Sequence, residues 1–222
     1  MKLRHLYISA LAFLLAACGS KQDYRNAIPA KSAAVVSIDI KSMSEKSGLS
    51  GDNANEKLLS RLENMVKSGL TGSEALVEKV FNDAGESGLG VKDKIYLFAG
   101  EQAKMGGLLV KVTDSGKLDN VLDVLKKQQV CAAVKESDGC KWTVLGNWLL
   151  AYNDNALVFV ADNKGSNPQS LVRQASMWLR QKEGEGFSAS DDFKSIEQKK
   201  GDIVVWSSLE VLPQEVVYPL TM

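Results

Sequence analysis

The mature part of this chain lacks histidine. The single histidine among the 222 residues is His5, which lies inside an N-terminal segment that reads as a signal peptide. Without an imidazole, the mature protein has no Ser-His-Asp or Cys-His catalysis and no histidine-containing zinc site. A serine–lysine pair in the SxxK spacing is also absent. We therefore predict no catalytic residue, no metal site and no cofactor, and a protein that is not an enzyme.

The chain also lacks an excess of charge of one sign. Removing Lys2 and Arg4 with the signal peptide leaves 25 of the 27 basic residues against 27 acidic ones, a net charge near −2. A nucleic-acid binder normally carries a basic patch or stripe, and the sequence has none. Only four prolines occur, and no low-complexity run is visible, which argues against a long disordered region. We predict one globular domain and no nucleic-acid partner.

Long apolar runs are scarce, and the one that stands out is Leu6 to Leu15, behind Lys2 and Arg4. It has about half the length that a helix needs to cross a bilayer. Leu15-Ala16-Ala17-Cys18 follows and is typical of a bacterial lipobox, in which the cysteine is acylated and becomes the first mature residue. The alternative is an ordinary secretory signal with an incidental cysteine. We predict a signal peptide over 1–17, lipidated Cys18 and a tether over 18–30, and a single domain over 31–222.

The lipid makes a membrane the first predicted partner, because more than one acyl chain holds a protein stably at a bilayer. Gly19 stands where inner-membrane lipoproteins of well-studied Gram-negative bacteria carry a retaining aspartate. We therefore predict an outer-membrane lipoprotein of the cell envelope. The sequence leaves open whether the domain faces the periplasm or the cell surface.

Cysteine is rare, with only Cys131 and Cys140 left after Cys18. In an envelope compartment the two could pair as a disulfide that closes a short loop. Against the pairing, a hairpin that turns at Asp138-Gly139 would not place residue 131 opposite residue 140. Both alternatives stay open at this point.

The apolar pattern predicts an α+β fold. Alternating apolar residues predict strands at 33–40, 94–100, 107–113, 130–134, 141–145, 148–152, 156–160 and 202–209. Helical stripes are predicted at 56–69, 71–84, 115–128 and 170–181, and a shorter helix after Ser190, with a loop over 42–55. Short turns between neighbouring strands favour a largely antiparallel sheet with the helices packed on one face.

Beside the lipobox, four stretches carry a resemblance: Tyr24…Ile28-Pro29…Val35-Val36-Ser37-Ile38-Asp39, Lys46-Ser47-Gly48-Leu49, Trp148-Leu149-Leu150-Ala151-Tyr152-Asn153 and Lys200-Gly201-Asp202-Ile203. Together they resemble an uncharacterised family of Bacteroidetes-type envelope lipoproteins, a domain of unknown function. The family has no assigned activity, so the resemblance implies no catalytic residue. Its members are usually longer, which leads us to expect that a C-terminal half is missing here.

Two groups of residues could form a ligand site, but structural roles are favoured for both. The first is a set of aromatic residues that could form a sugar-binding platform, although packing in the core is the favoured role: Trp142, Trp148, Tyr152, Trp178 and Trp206. Asp52–Glu56 and Asn153–Asn155 offer oxygen ligands for calcium, but they lack the EF-hand spacing, so we expect loops and turns.

We predict a non-enzymatic envelope lipoprotein whose domain binds another envelope protein or a polymer, or has a structural role. The alternative is a carboxylate-based glycan hydrolase. That alternative needs two acidic side chains that converge at about 5–10 Å in a cleft.

Overall fold

A computed structural model describes residues 22–46, 85–90, 92–100, 105–161 and 167–208. The signal peptide, Cys18, the helices predicted at 56–69 and 71–84 and the loop Asp52–Glu56 lie outside the described residues. The predictions made for them are not tested by the fold described below.

In the part of the chain that the structure describes, eight strands form one fully antiparallel sheet, which confirms the α+β class. The strands are β1 (Ala34–Ile38), β2 (Ile95–Ala99), β3 (Gly106–Lys111), β4 (Lys135–Ser137), β5 (Cys140–Leu145), β6 (Trp148–Tyr152), β7 (Ala156–Ala161) and β8 (Ile203–Ser207). Their order in the sheet is β4-β5-β6-β7-β3-β2-β1-β8. Among the described strands, β4 and β8 are therefore the two edges of the sheet.

The described residues contain four α-helices. They are α1 (Ile40–Lys46), α2 (Ser115–Lys127), α3 (Pro168–Leu179) and α4 (Asp191–Gln198). The caps of the last three are Asp114, Asn167 and Ser190, whose side chains accept a hydrogen bond from a backbone N–H of the first turn. Pro168 suits the first helical position because its missing N–H would have no partner there.

The helices pack on both faces of the sheet rather than on one, which corrects that detail of the sequence prediction. α3 and α4 cover one face with side chains such as Trp178 and Ile196. α2 covers the opposite face with Leu118, Leu122 and Leu125. We call these the α3 face and the α2 face. An amphipathic stripe shows that a helix packs against something, but it does not show on which side of a sheet it lies.

Three local predictions are wrong. Residues 40–46 form α1 instead of the end of a strand and a loop, because the Asp39 carboxylate accepts a hydrogen bond from Ser42 N at 2.8 Å and starts a helix. Residues 130–134 are irregular, and the edge strand is β4 instead. The tether ends before Tyr24, because Tyr24–Ala27 is a 3-10 turn followed by fully buried Ile28.

Cys131 and Cys140 do not form a disulfide in the structure. They are held on opposite faces of the sheet, since Cys131 packs among the α2-face residues and Cys140 among the α3-face residues. The hairpin explains this, because Asp138 and Gly139 have φ of 53° and 76° and set Ser137 opposite Cys140. The structure favours the alternative in which both thiols stay separate.

We expect both thiols to resist alkylation until the protein unfolds. Burial raises the pKa of Cys131 and of Cys140, which lowers the fraction of reactive thiolate. Mass spectrometry after treatment with iodoacetamide should show no label on either cysteine in the native protein and label on both in denaturant. An intact mass lower by two hydrogen atoms, with no label after denaturation, would instead establish a disulfide.

Candidate functional site

The aromatic residues that could have formed a platform belong to the core. Tyr152 and Trp178 are buried, and Trp142, Trp148 and Trp206 are half-buried and pack against the core of one or the other face. These aromatics are therefore split between the two faces, so they cannot stack together on one ligand.

Asn153–Asn155 forms a turn and not an ion-binding loop. The Asn153 side-chain oxygen accepts hydrogen bonds from the N–H groups of Asn155 and Ala156, each at 2.9 Å. The Asp154 carboxylate accepts a hydrogen bond from the Ser115 hydroxyl. The oxygen atoms that suggested a calcium ligand set stabilise the connection between β6 and β7.

The α2 face carries a groove of about 350 Å³ between α2 and β4. One of its carboxylates, Asp119, accepts hydrogen bonds from the buried Tyr152 hydroxyl and from Lys141, so both of its oxygens are used. Asp123 pairs with Lys127, which lowers the pKa of Asp123. A glycosidase acid needs a raised pKa, so Asp123 does not suit that role.

The two edges of the sheet differ sharply in how well they are protected. β4 is three residues long, and Lys135, Glu136 and Ser137 are all exposed and polar. Short edge strands with charged side chains are a common protection against pairing with another chain. β4 therefore has the features of an edge that stays unpaired.

β8 lacks that protection. It is five residues long and contains no proline and no charged residue. Ile203 is 50% exposed and Val205 is 64% exposed, although both are large apolar side chains. An apolar edge strand of this length without charged residues or proline is a ready template for another strand.

The backbone of β8 also points hydrogen-bonding groups away from the sheet. Asp39 N donates to Asp202 O at 2.7 Å, and Ser208 N donates to Ala33 O at 2.8 Å. In an antiparallel ladder the bonded residues alternate, so the even-numbered residues of β8 face β1. The N–H and C=O groups of Ile203, Val205 and Ser207 therefore face outward, along the edge that none of the described strands pairs with.

An apolar row continues from this edge across the α2 face of the sheet. Val205 lies opposite Val36 of β1, and Val36 lies opposite Leu97 of β2. Leu97 is itself 41% exposed. The edge and the row together form the site, which we call the β8 surface and define by Ile203, Val205, Ser207, Val36 and Leu97.

A polar network holds the N-terminal segment against the other side of these strands. The Glu197 carboxylate of α4 accepts hydrogen bonds from the Tyr96 hydroxyl and from Lys94, both at 3.1 Å, and pairs with Arg25 at 3.4 Å. The Tyr24 hydroxyl donates to Lys94 O at 2.8 Å. These five residues, the clamp, fix the point at which the chain enters the domain.

Three buried or half-buried tyrosines predict a loss of stability at high pH. Burial and nearby negative charge raise the pKa of Tyr24, Tyr96 and Tyr152 well above the usual value of about 10. In the unfolded chain these tyrosines lose their protons near pH 10, whereas in the fold they keep them. Stability is therefore complete below about pH 10 and falls as the pH rises above it.

A pH titration that follows tyrosinate absorbance and circular dichroism together checks this prediction. We expect most of the tyrosinate signal to appear in the same cooperative transition as unfolding. Gradual ionisation of the three tyrosines in a protein that keeps its native spectrum would contradict it.

Sequence reasoning missed the β8 surface. The segment 202–209 reads correctly as a strand, but strand order depends on long-range pairing. The available signal was the run Ile203-Val204-Val205-Trp206, in which successive residues are all apolar. Such a run is apolar on both faces, and this one packs Val204 and Trp206 on the α3 face while Ile203 and Val205 stay exposed.

Solved structures of a protein named TP0453 have a similar fold. Its crystal form I matches with a TM-score of 0.50 at 10% sequence identity, over 84% of this chain and 62% of that chain. Crystal form III matches with a TM-score of 0.49 at 11% identity, over 82% and 62%. The chain thus spans less than two thirds of TP0453, and the likeness concerns the fold alone.

No curated protein matches the sequence. A family model does, and it extends over residues 24–222, which include every described residue except Gln22 and Asp23. The chain belongs to the family described as "Domain of unknown function (DUF4836)".

Proposed function

We propose that this protein is a lipid-anchored, non-enzymatic module of the cell envelope that binds another envelope protein through the β8 surface. The observation that carries the binding role is the contrast between the two sheet edges. The β4 edge is short and polar, whereas the β8 edge is longer, apolar and exposed.

The anchor in this proposal is the lipid on Cys18, and the location is the outer membrane. Its support is the sequence of the N-terminus, with the short apolar run of Leu6 to Leu15 and the lipobox that ends at Cys18. Among the described residues, none of the helices has the length and apolarity that a membrane span requires.

The binding mode in this proposal is addition of one strand to the sheet. The outward peptide groups of Ile203, Val205 and Ser207 supply backbone hydrogen bonds to an antiparallel strand. The exposed side chains of Ile203 and Val205 add apolar contacts on one side of that strand. The partner segment is therefore extended and places an apolar residue at every second position on the α2 face.

A pull-down with matched variants of Val205 tests this function. Val205→Pro removes the outward N–H while leaving the bonds from β8 to β1 in place, because those bonds use the even-numbered residues. Val205→Thr keeps both the N–H and the β-branched shape. Both proteins should keep their native circular dichroism spectrum.

After crosslinking in native envelopes, we expect the wild type and Val205→Thr to capture the same partner. Val205→Pro should capture at least about tenfold less of it, since strand addition depends on these backbone bonds. Equal capture by Val205→Pro would rule out the β8 surface as the binding site. Turnover of glycoside, ester or peptide substrates by the purified mature protein would contradict the non-enzymatic role.

A further inference from the structure

The chain enters the domain at a fixed point. Asp23 accepts a hydrogen bond from Arg25 N at 3.0 Å, and the Tyr24 hydroxyl reaches Lys94 O. Asn26 and Ala27 follow and are buried. The N-terminal segment is therefore part of the fold from residue 23 onward, beside the start of β2.

Little chain separates this point from the proposed anchor. From Cys18 to Asp23 there are five peptide steps, which span at most about 18 Å when fully extended. A domain of two hundred residues has a radius of gyration of about 16 Å and is therefore roughly 40 Å across. The tether is too short for the domain to turn over, so the end of the sheet near Asp23 stays next to the membrane.

The charge at this end of the sheet suits an anionic surface. Near the starts of β2 and β8, three carboxylates are engaged in ion pairs: Glu197 with Lys94, Asp93 with Lys111, and Asp202 with Lys46. A fourth, Asp39, accepts a hydrogen bond from Ser42 N. Lys92, Lys199 and Lys200 are exposed and have no ion pair among the described residues. All three lie close to the starts of β2 and β8, at the same end as the clamp.

We infer that this end of the domain rests on the membrane, with Lys92, Lys199 and Lys200 over anionic phospholipid headgroups. The inference rests on the lipid anchor of the proposed function. A lysine near an anionic leaflet is attracted over about one Debye length, so short-range contact is needed. The tether supplies that proximity, and the lysines select the orientation.

The orientation also limits which strand can add to β8. β8 starts at the membrane end, because Ile203 lies opposite Ile38, which in turn lies opposite Ile95 at the start of β2. An antiparallel partner strand must therefore run toward the membrane. A second copy anchored in the same membrane has its β8 running away from it, so a twofold pair of β8 strands does not form.

Lysine labelling on vesicles tests the orientation. The lipidated full chain is inserted into vesicles of phosphatidylcholine alone or of phosphatidylcholine mixed with phosphatidylglycerol. A membrane-impermeant amine-acetylating reagent is added, and the rate at each lysine is read by mass spectrometry. Lys126 and Lys127 are the internal control, since they are exposed at the far end of α2, about 20 Å along that helix from Ser115.

We expect Lys92, Lys199 and Lys200 to react at least about fivefold more slowly on the mixed vesicles than on phosphatidylcholine, with Lys126 and Lys127 unchanged. In Lys199→Gln/Lys200→Gln the protection of Lys92 should be lost, whereas Lys126→Gln/Lys127→Gln should keep it. Equal rates on both kinds of vesicle, or protection of Lys126 and Lys127 instead, would overturn the orientation. A protein that lacks acyl mass and does not float with vesicles would overturn the anchor itself.

Discussion

Replacing Trp178 by alanine is expected to lower the free energy of unfolding by about 3–5 kcal/mol, which would leave a domain of this size marginal. Trp178 is 5% exposed on α3, and its ring meets that of Phe98 edge-on, with 5.2 Å between the ring centroids. The substitution removes this contact and leaves a cavity between α3 and the sheet. Urea unfolding followed by circular dichroism measures the change.

The neighbouring residue gives a matched control. Met177 is on the same helix and 59% exposed, so Met177→Ala should change the free energy of unfolding by no more than about 0.5 kcal/mol. If Trp178→Ala were as mild as Met177→Ala, Trp178 would not be a core residue. The interpretation of this tryptophan as part of a ligand platform would then regain support.

Replacing Cys18 by serine is expected to move the protein almost completely from the membrane fraction to the soluble fraction. The hydroxyl cannot take the thioether-linked lipid, and each buried methylene of an acyl chain contributes about 0.8 kcal/mol to membrane binding. Without the lipid, the domain keeps only weak surface contacts. Fractionation of envelopes, together with intact-mass analysis, gives the result.

Cys140→Ala is the control for this prediction, because it removes a buried thiol and leaves the anchor site untouched. It should stay in the membrane fraction with the full acyl mass. A Cys18→Ser protein that remains membrane-bound would show that something other than the lipid on Cys18 holds the protein there.

The parts of the fold that the sequence predicted are the parts with local causes. α4 follows Ser190, whose hydroxyl accepts a hydrogen bond from Phe193 N at 3.0 Å, and Asp191 and Asp192 lie in its first turn. β6 and β7 are joined by the turn at Asn153, whose side chain bonds to the backbone two and three residues on. In each case the deciding atoms lie within a few residues of one another.

The misplaced edge strand shows where local patterns fail. Residues 130–134 are apolar enough to suggest a strand, yet β4 forms at the polar residues Lys135–Ser137. The two-residue turn at Asp138-Gly139 decides this, because it pairs Ser137 with Cys140 and Lys135 with Trp142. The Ala132 N–H instead donates to Val144 O, and the Ala132 C=O accepts a hydrogen bond from the Thr143 hydroxyl.

The site could not be predicted because it depends on long-range pairing. β1 pairs with β2 on one side and with β8 on the other, which places β8 at the edge of the described sheet. β1 and β2 are more than fifty residues apart in the sequence. The exposure of Val205 depends in the same way on where α2 packs, since α2 covers β3 and β5–β7 and not β8. The clamp is likewise formed by Arg25, Lys94 and Glu197, which are far apart in the sequence.

The measurement that tests the central claim most directly is site-specific photocrosslinking in intact envelopes. A photoreactive amino acid is placed at Val205 on the β8 edge and, in a second protein, at Ser137 on the β4 edge. We predict a crosslinked species of defined mass, containing a different envelope protein, from position 205 and none from position 137. No crosslink at 205, or the same crosslinks at both positions, would contradict a binding role for β8.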